Sequence, residues 1–178
     1  MSNIGLGCPN FSIAVYIANK PNLTEYQQLT YITPVNSGEI NAINAQCGNG
    51  WRKVFNVYAK LLFALDTSNF NFSAQAPSWQ EYRDRFLLQS NSKTALLFSA
   101  PKLSLNDRKH HIITGKTYAK HLIATKQITT NLVWLDDEFA IDKTNNLIVC
   151  PYFDYRQLSN IKIVKLAKLL NELQTELN

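Results

Sequence analysis

Cysteine is scarce in this sequence. Cys8, Cys47 and Cys150 are an odd number with neither CxxC nor Cys/His ligand spacing, which argues against a disulfide framework and against a structural zinc site. A reducing compartment is the simplest expectation, and the chain reads as cytoplasmic. Charge is scarce too: charged residues make up 17% of the chain, against about 25% in ordinary domains, while hydrophobic residues reach 46%. Disorder is therefore excluded, and one compact domain over residues 1–178 is expected. No apolar run approaches ~18 residues, and MSNIGLGCPN has no basic stretch ahead of an apolar one, so no membrane span and no secretion signal are expected. Catalytic punctuation is equally thin. There is no GxSxG elbow, no Ser/His/Asp order and no pair of carboxylates at acid/base spacing, and no motif calls for a cofactor or a metal.

What the chain does have is a succession of short apolar runs alternating with helical periodicity. FSIAVYIA at residues 11–18 reads as a strand buried on both faces, TALLFS at 94–99 as a second, RKHHIIT at 108–114 as a third and LIVC at 147–150 as a fourth. Trp51, Val54, Phe55, Tyr58, Leu61, Leu62 and Leu65 recur at three and four residues and predict a long helix. Ser78 with Glu81 has capping-box spacing and starts another helix; Asn22 with Glu25 has the same spacing ahead of a short one. A helix over 116–124 follows Gly115, and a terminal helix begins at Ser159 or Asn160, with Val164, Ala167, Leu170, Leu173 and Leu177 as its shared face. Residues 31–35 and the flanks of Asp136 to Glu138 are further extended candidates, and the polar, small stretch 33–50 reads as a loop. The pattern predicts an α/β fold, three layers of α/β/α, with a short and mainly parallel central sheet.

In such sheets ligands gather outside the carboxyl ends of the strands, which selects residues 19–21, 99–102, 114–118 and 151–160. Gly115 between strand and helix permits a tight turn and lets free helix N–H groups approach an anion, with Lys116 and Thr117 beside them. GKT here lacks the upstream glycine of a P-loop, so nucleotide hydrolysis of that type is not expected. Tyr152, Asp154, Tyr155 and Arg156 follow the last strand and offer a phenol, a carboxylate and a guanidinium to a polar ligand. The net charge of +5 is concentrated in residues 93–126, where Lys93, Lys102, Arg108, Lys109, Lys116, Lys120 and Lys126 face a single acid, Asp107. Converging on one face, they would engage phosphates. His110 and His111 are neighbours in a strand and point to opposite faces, so they cannot share a metal.

Four pieces together carry a family likeness: IAVYIANKP at 13–21, GNGWRKVF at 48–55, HHIITGKTYAKHL at 110–122 and LIVCPYFDYRQLSN at 147–160. In that order they resemble the uracil-DNA glycosylase superfamily, especially its mismatch-specific uracil/thymine branch. Its pattern is a buried first strand ending near Asn-Pro, a Gly-Asn-aromatic helix start, a strand then Gly-Lys, and a Pro-rich loop before the last helix. The resemblance implies a pocket that reads a base flipped out of DNA. It implies that Asn19 positions the attacking water, that Asn49 and Trp51 belong to the binding set, that Gly115, Lys116 and Lys120 meet backbone and phosphates, and that Ser159 and Asn160 hold the DNA backbone. The sequence departs from the family at three places. Lys20 separates Asn19 from Pro21, and an alternative alignment ends the first core strand at Thr33 and Pro34. Residues 43–46, INAQ, replace the stacking aromatic, and in PYFDYRQLSN only Pro151 and Leu158, Ser159 and Asn160 match.

Two function classes follow from these residues. The first is a glycosylase-like domain binding nucleic acid or a nucleotide-like ligand at its strand ends. The second is a non-catalytic module that contacts a protein or small molecule through residues 33–50 and 152–156. An enzyme of small molecules that uses the Gly115 turn for an anion is a third possibility.

Overall fold

The apolar runs become the middle of a sheet. A computed structural model describes residues 2–105 and 107–178. In chain order its elements are β1 (Gly5–Gly7), β2 (Ile13–Tyr16), α1 (Thr24–Gln27), β3 (Ile32–Thr33), α2 (Glu39–Cys47), α3 (Asn49–Ala64) and α4 (Trp79–Arg85). They continue with β4 (Thr94–Leu97), β5 (His110–Thr114), α5 (Lys116–Ala124), β6 (Val133–Trp134), β7 (Ala140–Asp142), β8 (Leu147–Cys150) and α6 (Asn160–Leu177). The strands form one mixed sheet in the order β3-β1-β4-β2-β5-β8-β7-β6. Its centre, β4-β2-β5-β8, is wholly parallel, and every residue of those four strands is buried, as unbroken apolar runs require. Antiparallel pairing is confined to the flanks, where β1 meets β4 and β7 lies between β6 and β8.

Alternate residues of each central strand face two different layers. Ile13, Val15, Leu96, Ile112 and Ile148 point into a core shared with the apolar faces of α3 and α6. On that side α2, α4 and α6 all pack around α3. Ala14, Tyr16, Ala95, Leu97, Ile113 and Val149 point the other way, onto α5 through Ala119 and Leu122, with Leu103, Ile128 and Leu132 from connecting segments completing the cover. The protein is thus a three-layer α/β/α structure with one thick helical layer and one thin one. Among the described residues no helix is long and apolar enough to cross a membrane.

The periodicity of α3 translates directly: all seven residues from Trp51 to Leu65 that mark its face are buried. Ser78 caps α4, its Oγ accepting from the Glu81 N–H at 3.2 Å. Elsewhere the structure corrects the sequence reading. Residues 33–50 are not all loop, because α2 occupies Glu39–Cys47 and α3 begins at Asn49. Ile40 and Ile43, one turn apart, bury against α3, and the Glu39 carboxylate accepts from the Asn36 N–H (2.7 Å) and from the Tyr26 hydroxyl (2.9 Å). These contacts outweigh the polar composition. At α1 the cap position is Leu23 rather than Asn22, and no side chain closes it. The buried face of α6 is Ile163, Leu166, Ala167, Leu170 and Leu173, while Val164 is 64% exposed, because the helix is rolled toward α3 by its neighbours.

The strand β1 escapes any β-propensity reading, since two of its three residues are glycine. Its glycines are there for space. A Cβ on Gly7, whose φ is +126°, would lie 2.7 Å from the Ala95 Cα and closer still to the Thr94 carbonyl oxygen. A Cβ on Gly5 would lie 2.8 Å from the Leu97 Cα. The first core strand is β2, which ends at Tyr16, three residues before Asn19; Thr33 belongs to the edge strand β3.

Candidate functional site

The parallel strands end on a common rim. Thr114 Oγ1 donates to the Tyr16 carbonyl at 2.9 Å, and the Gly115 N–H donates to the Cys150 carbonyl at 2.7 Å, which ties the ends of β2, β5 and β8 together. Gly115 then turns with φ +96° into α5, a conformation that favours glycine, although no atom stands within 4 Å of where its Cβ would be. As the N-cap of α5 it brings no side chain to close the helix. The N–H groups of Lys116, Thr117 and Tyr118 have no partner within the helix and point with the positive end of its dipole.

A cavity of about 810 Å³ opens at this corner. One wall is the α5 start, residues 114–118, with His121 one turn further along; a second is Pro151, Tyr152 and Gln157 from the loop after β8; the third is Asp137 and Glu138 from the turn between β6 and β7. The turn is pinned by lysines. Lys116 Nζ donates to the Asp137 carbonyl at 3.1 Å and lies 5.0 Å from the centre of the Trp134 ring. Lys162 pairs with Glu138 (2.7 Å), and Lys165 pairs with Asp136, holding that carboxyl down at about 2. Asp136 also accepts from the backbone N–H groups of Glu138 and Phe139, so the turn is held by its own backbone as well.

Asn19 and Tyr152 meet at the edge of the cavity, where the Tyr152 hydroxyl donates to Asn19 Oδ1 at 3.2 Å. Burial raises the Tyr152 phenol above its ordinary range, so it stays protonated and keeps that donor. Behind Tyr152, Asp154 holds the loop: it accepts from Arg156 (3.0 Å) and Lys53 (3.2 Å), and Lys53 in turn lies over the Tyr155 ring at 5.1 Å. The Arg156 hydrogen bond, with help from Lys53, keeps the Asp154 carboxyl below the usual carboxylate range despite partial burial.

Of the residues singled out from the sequence, Gly115, Lys116, Thr117 and Tyr152 stand on the cavity wall. Asn19 joins them through Tyr152, and Asp154, Tyr155 and Arg156 form an adjoining cluster. The others go elsewhere. Trp51 is a core residue, 6% exposed, packed against Phe55 and edge-on to Phe98, because α3 turns its whole apolar face inward. Asn49 opens α3 and is exposed; Lys120 lies on the outer side of α5; Ser159 is the N-cap of α6 without a side-chain bond, and Asn160 beside it is exposed. The basic residues of 93–126 do not converge. Lys93 and Lys109 precede β4 and β5, at the rim opposite to Gly115, where Lys109 covers the Phe11 ring at 4.9 Å.

Tyr118 and Gln157 lie within the strand-end segments that the sequence selects, whereas Ala18, His121, Asp137 and Glu138 lie outside them. Helical spacing could have found His121, which lies four residues after Thr117 on α5. Nothing local marks Asp137, whose place depends on how the β6–β7 turn folds over the strand ends. His110 and His111 do point to opposite faces: His110 Nε2 lies 2.7 Å from Gln174 Oε1 of α6, and His111 Nδ1 lies 2.8 Å from the Tyr16 hydroxyl on the thin side.

Fold and site define an α/β protein whose mixed sheet presents a ligand-sized cavity at the carboxyl ends of its parallel strands. Residues 4–171 match a family model described as a family of unknown function, DUF6942, and the chain belongs to that family. Comparison with curated proteins and with solved structures gives no match.

Proposed function

We propose that the protein is a glycosylase-like domain that binds a nucleotide-like ligand in the cavity at the α5 start. One observation carries this reading: the free N–H groups of residues 116–118 and the ring-bearing side chains of Tyr118 and Tyr152 border the same space of about 810 Å³, within the range of small-molecule sites. An anionic group sits at the helix N-terminus, and a planar base lies between the aromatic walls and the polar groups of Asp137 and Gln157. The four parallel central strands and the Gly115–Lys116 turn agree with what the likeness to uracil-DNA glycosylases implies. Base excision in this frame falls to Asn19: Tyr152 occupies one lone pair of its carboxamide oxygen and leaves the other, with the amide N–H groups, to orient water. The split of the basic residues between the two rims favours a short contact, a nucleotide or a single extruded base, over a long duplex footprint. Three unpaired thiols, Cys8, Cys47 and Cys150, fit a cytoplasmic setting.

Calorimetric titration of deoxyuridine monophosphate, with Gly115→Val as control, tests the binding. Saturable binding abolished by the variant is expected; binding that the valine leaves untouched places the ligand elsewhere. Uracil release from a mismatched duplex tests the chemistry, with loss of release in Asn19→Ala expected. If wild-type protein binds the nucleotide but releases no uracil, the domain is a binding module.

A further inference from the structure

The segment after β4, residues 99–102, does not join the cavity at Gly115. It turns toward the chain's beginning and the far end of α5 and walls a second cavity of about 610 Å³. The wall is apolar where Ile4, Ala100 and Pro101 meet, Ser2 and Gln127 add polar groups at its margin, and among the described residues its charges are of one sign: Lys102 and Lys126 contribute ammonium groups, and no Asp or Glu lines it. Among the described residues neither lysine has an ion-pair partner. Ser99 Oγ accepts from the Ile4 N–H at 3.0 Å, which leaves its hydroxyl hydrogen to donate into the space. Lys126 sits where backbone geometry favours glycine or asparagine. It follows the Thr125 C-cap of α5 in the left-handed region, at φ +57°, with its N–H closing onto the Ile123 carbonyl at 3.0 Å. A strained position filled by a long cationic side chain at a cavity mouth points to a role for that side chain rather than for the turn.

We propose that this second cavity binds an organic monoanion with an apolar body, of which a medium-chain carboxylate is the type. The hydrocarbon covers Ile4, Ala100 and Pro101, and the carboxylate lies between Lys102, Lys126 and the Ser99 hydroxyl. The site is independent of the one at Gly115.

Decanoate titrated into the full chain, followed by calorimetry and by amide shifts of Ala100, Lys102 and Gln127, tests the proposal. Saturable binding is expected, weakened about tenfold or more by Lys126→Gly or Lys102→Gln, the loss typical of one hydrogen bond to a charged group. 1-Decanol, which keeps the chain and drops the charge, is expected to bind at least as weakly as decanoate does to the variants. Lys126→Gly relieves the left-handed strain, so its melting temperature should equal or exceed that of the wild type, which separates lost binding from lost folding. The proposal is overturned by decanol binding as tightly as decanoate, by either lysine variant retaining full affinity, or by the absence of saturable decanoate binding.

Discussion

One face of the sheet lies under α2, α3, α4 and α6, and the other under the nine residues of α5 with connecting segments; both cavities open at the ends of that one short helix. The thick face is a continuous core from Ile13 and Val15 through Phe55 and Tyr58 to Leu166 and Leu170. On the thin face alanines, Ala14, Ala95, Ala119 and Ala140, take many of the inward positions. The difference separates two tasks. Burial on the thick side secures the fold, and the sparse cover on the thin side leaves strand ends and helix ends open to solutes.

Phe55→Ala should break the comparison most strongly if it is wrong. Fully buried between α3 and the sheet, Phe55 should cost about 3–5 kcal/mol in denaturant unfolding when truncated, and Leu122→Ala on the thin side should fall near ~2 kcal/mol, the low end for such changes. Equal losses would erase the distinction between the faces.

Acid sharpens it from the thin side. His111 is buried between the Tyr16 hydroxyl and Asp107, whose Oδ2 lies 3.6 Å from Nε2, and burial pushes its pKa down to about 4 against the opposing pull of Asp107. Because the native state holds the neutral ring while the unfolded chain takes a proton near pH 6.5, stability is unaffected above that pH. It should then decline as pH falls from 6.5 to about 4, by a total of order 3 kcal/mol, and level off below. Unfolding measured across this range checks it, and His111→Gln should flatten the slope; burial also lowers His110, which leaves a smaller residual slope.

Gly7→Ala should destabilise by about 1–3 kcal/mol, since its new methyl group meets the β4 backbone and neither strand can yield without losing pairing. Lys116→Met has the smallest expected effect, at most ~1 kcal/mol, because the ion pairs of Lys162 and Lys165 and the backbone bonds to Asp136 still hold the β6–β7 turn.

The central strands and α3, α5 and α6 were legible because each is a sufficiently long run with one period. What failed shared a cause. β1 is fixed by how closely the backbone of β4 approaches, α2 by two isoleucines and the contacts of Glu39, and the rolled face of α6 by its neighbours, all of them tertiary effects with no local mark. The same holds at the site. Gly115, Lys116, Thr117 and Tyr152 follow strands directly and were found from the strand-end rule, whereas Asp137 and Glu138 arrive from the β6–β7 turn, which reaches the rim only through the order of the finished sheet. The family likeness puts Trp51 in the binding set and the helical spacing puts it on the apolar face of α3; its neighbours Phe55 and Phe98 make it a core residue, as the spacing predicts.

The claim on which the rest depends is that the corner at Gly115 is where a ligand is held. Amide shift mapping during a titration with deoxyuridine monophosphate tests it most directly. Saturating shifts confined to residues 115–121, 137–138 and 151–157 are expected, with the thick face silent and all of them lost in Gly115→Val. Shifts that gather instead on α3 and α6, or none at saturating nucleotide, would contradict it.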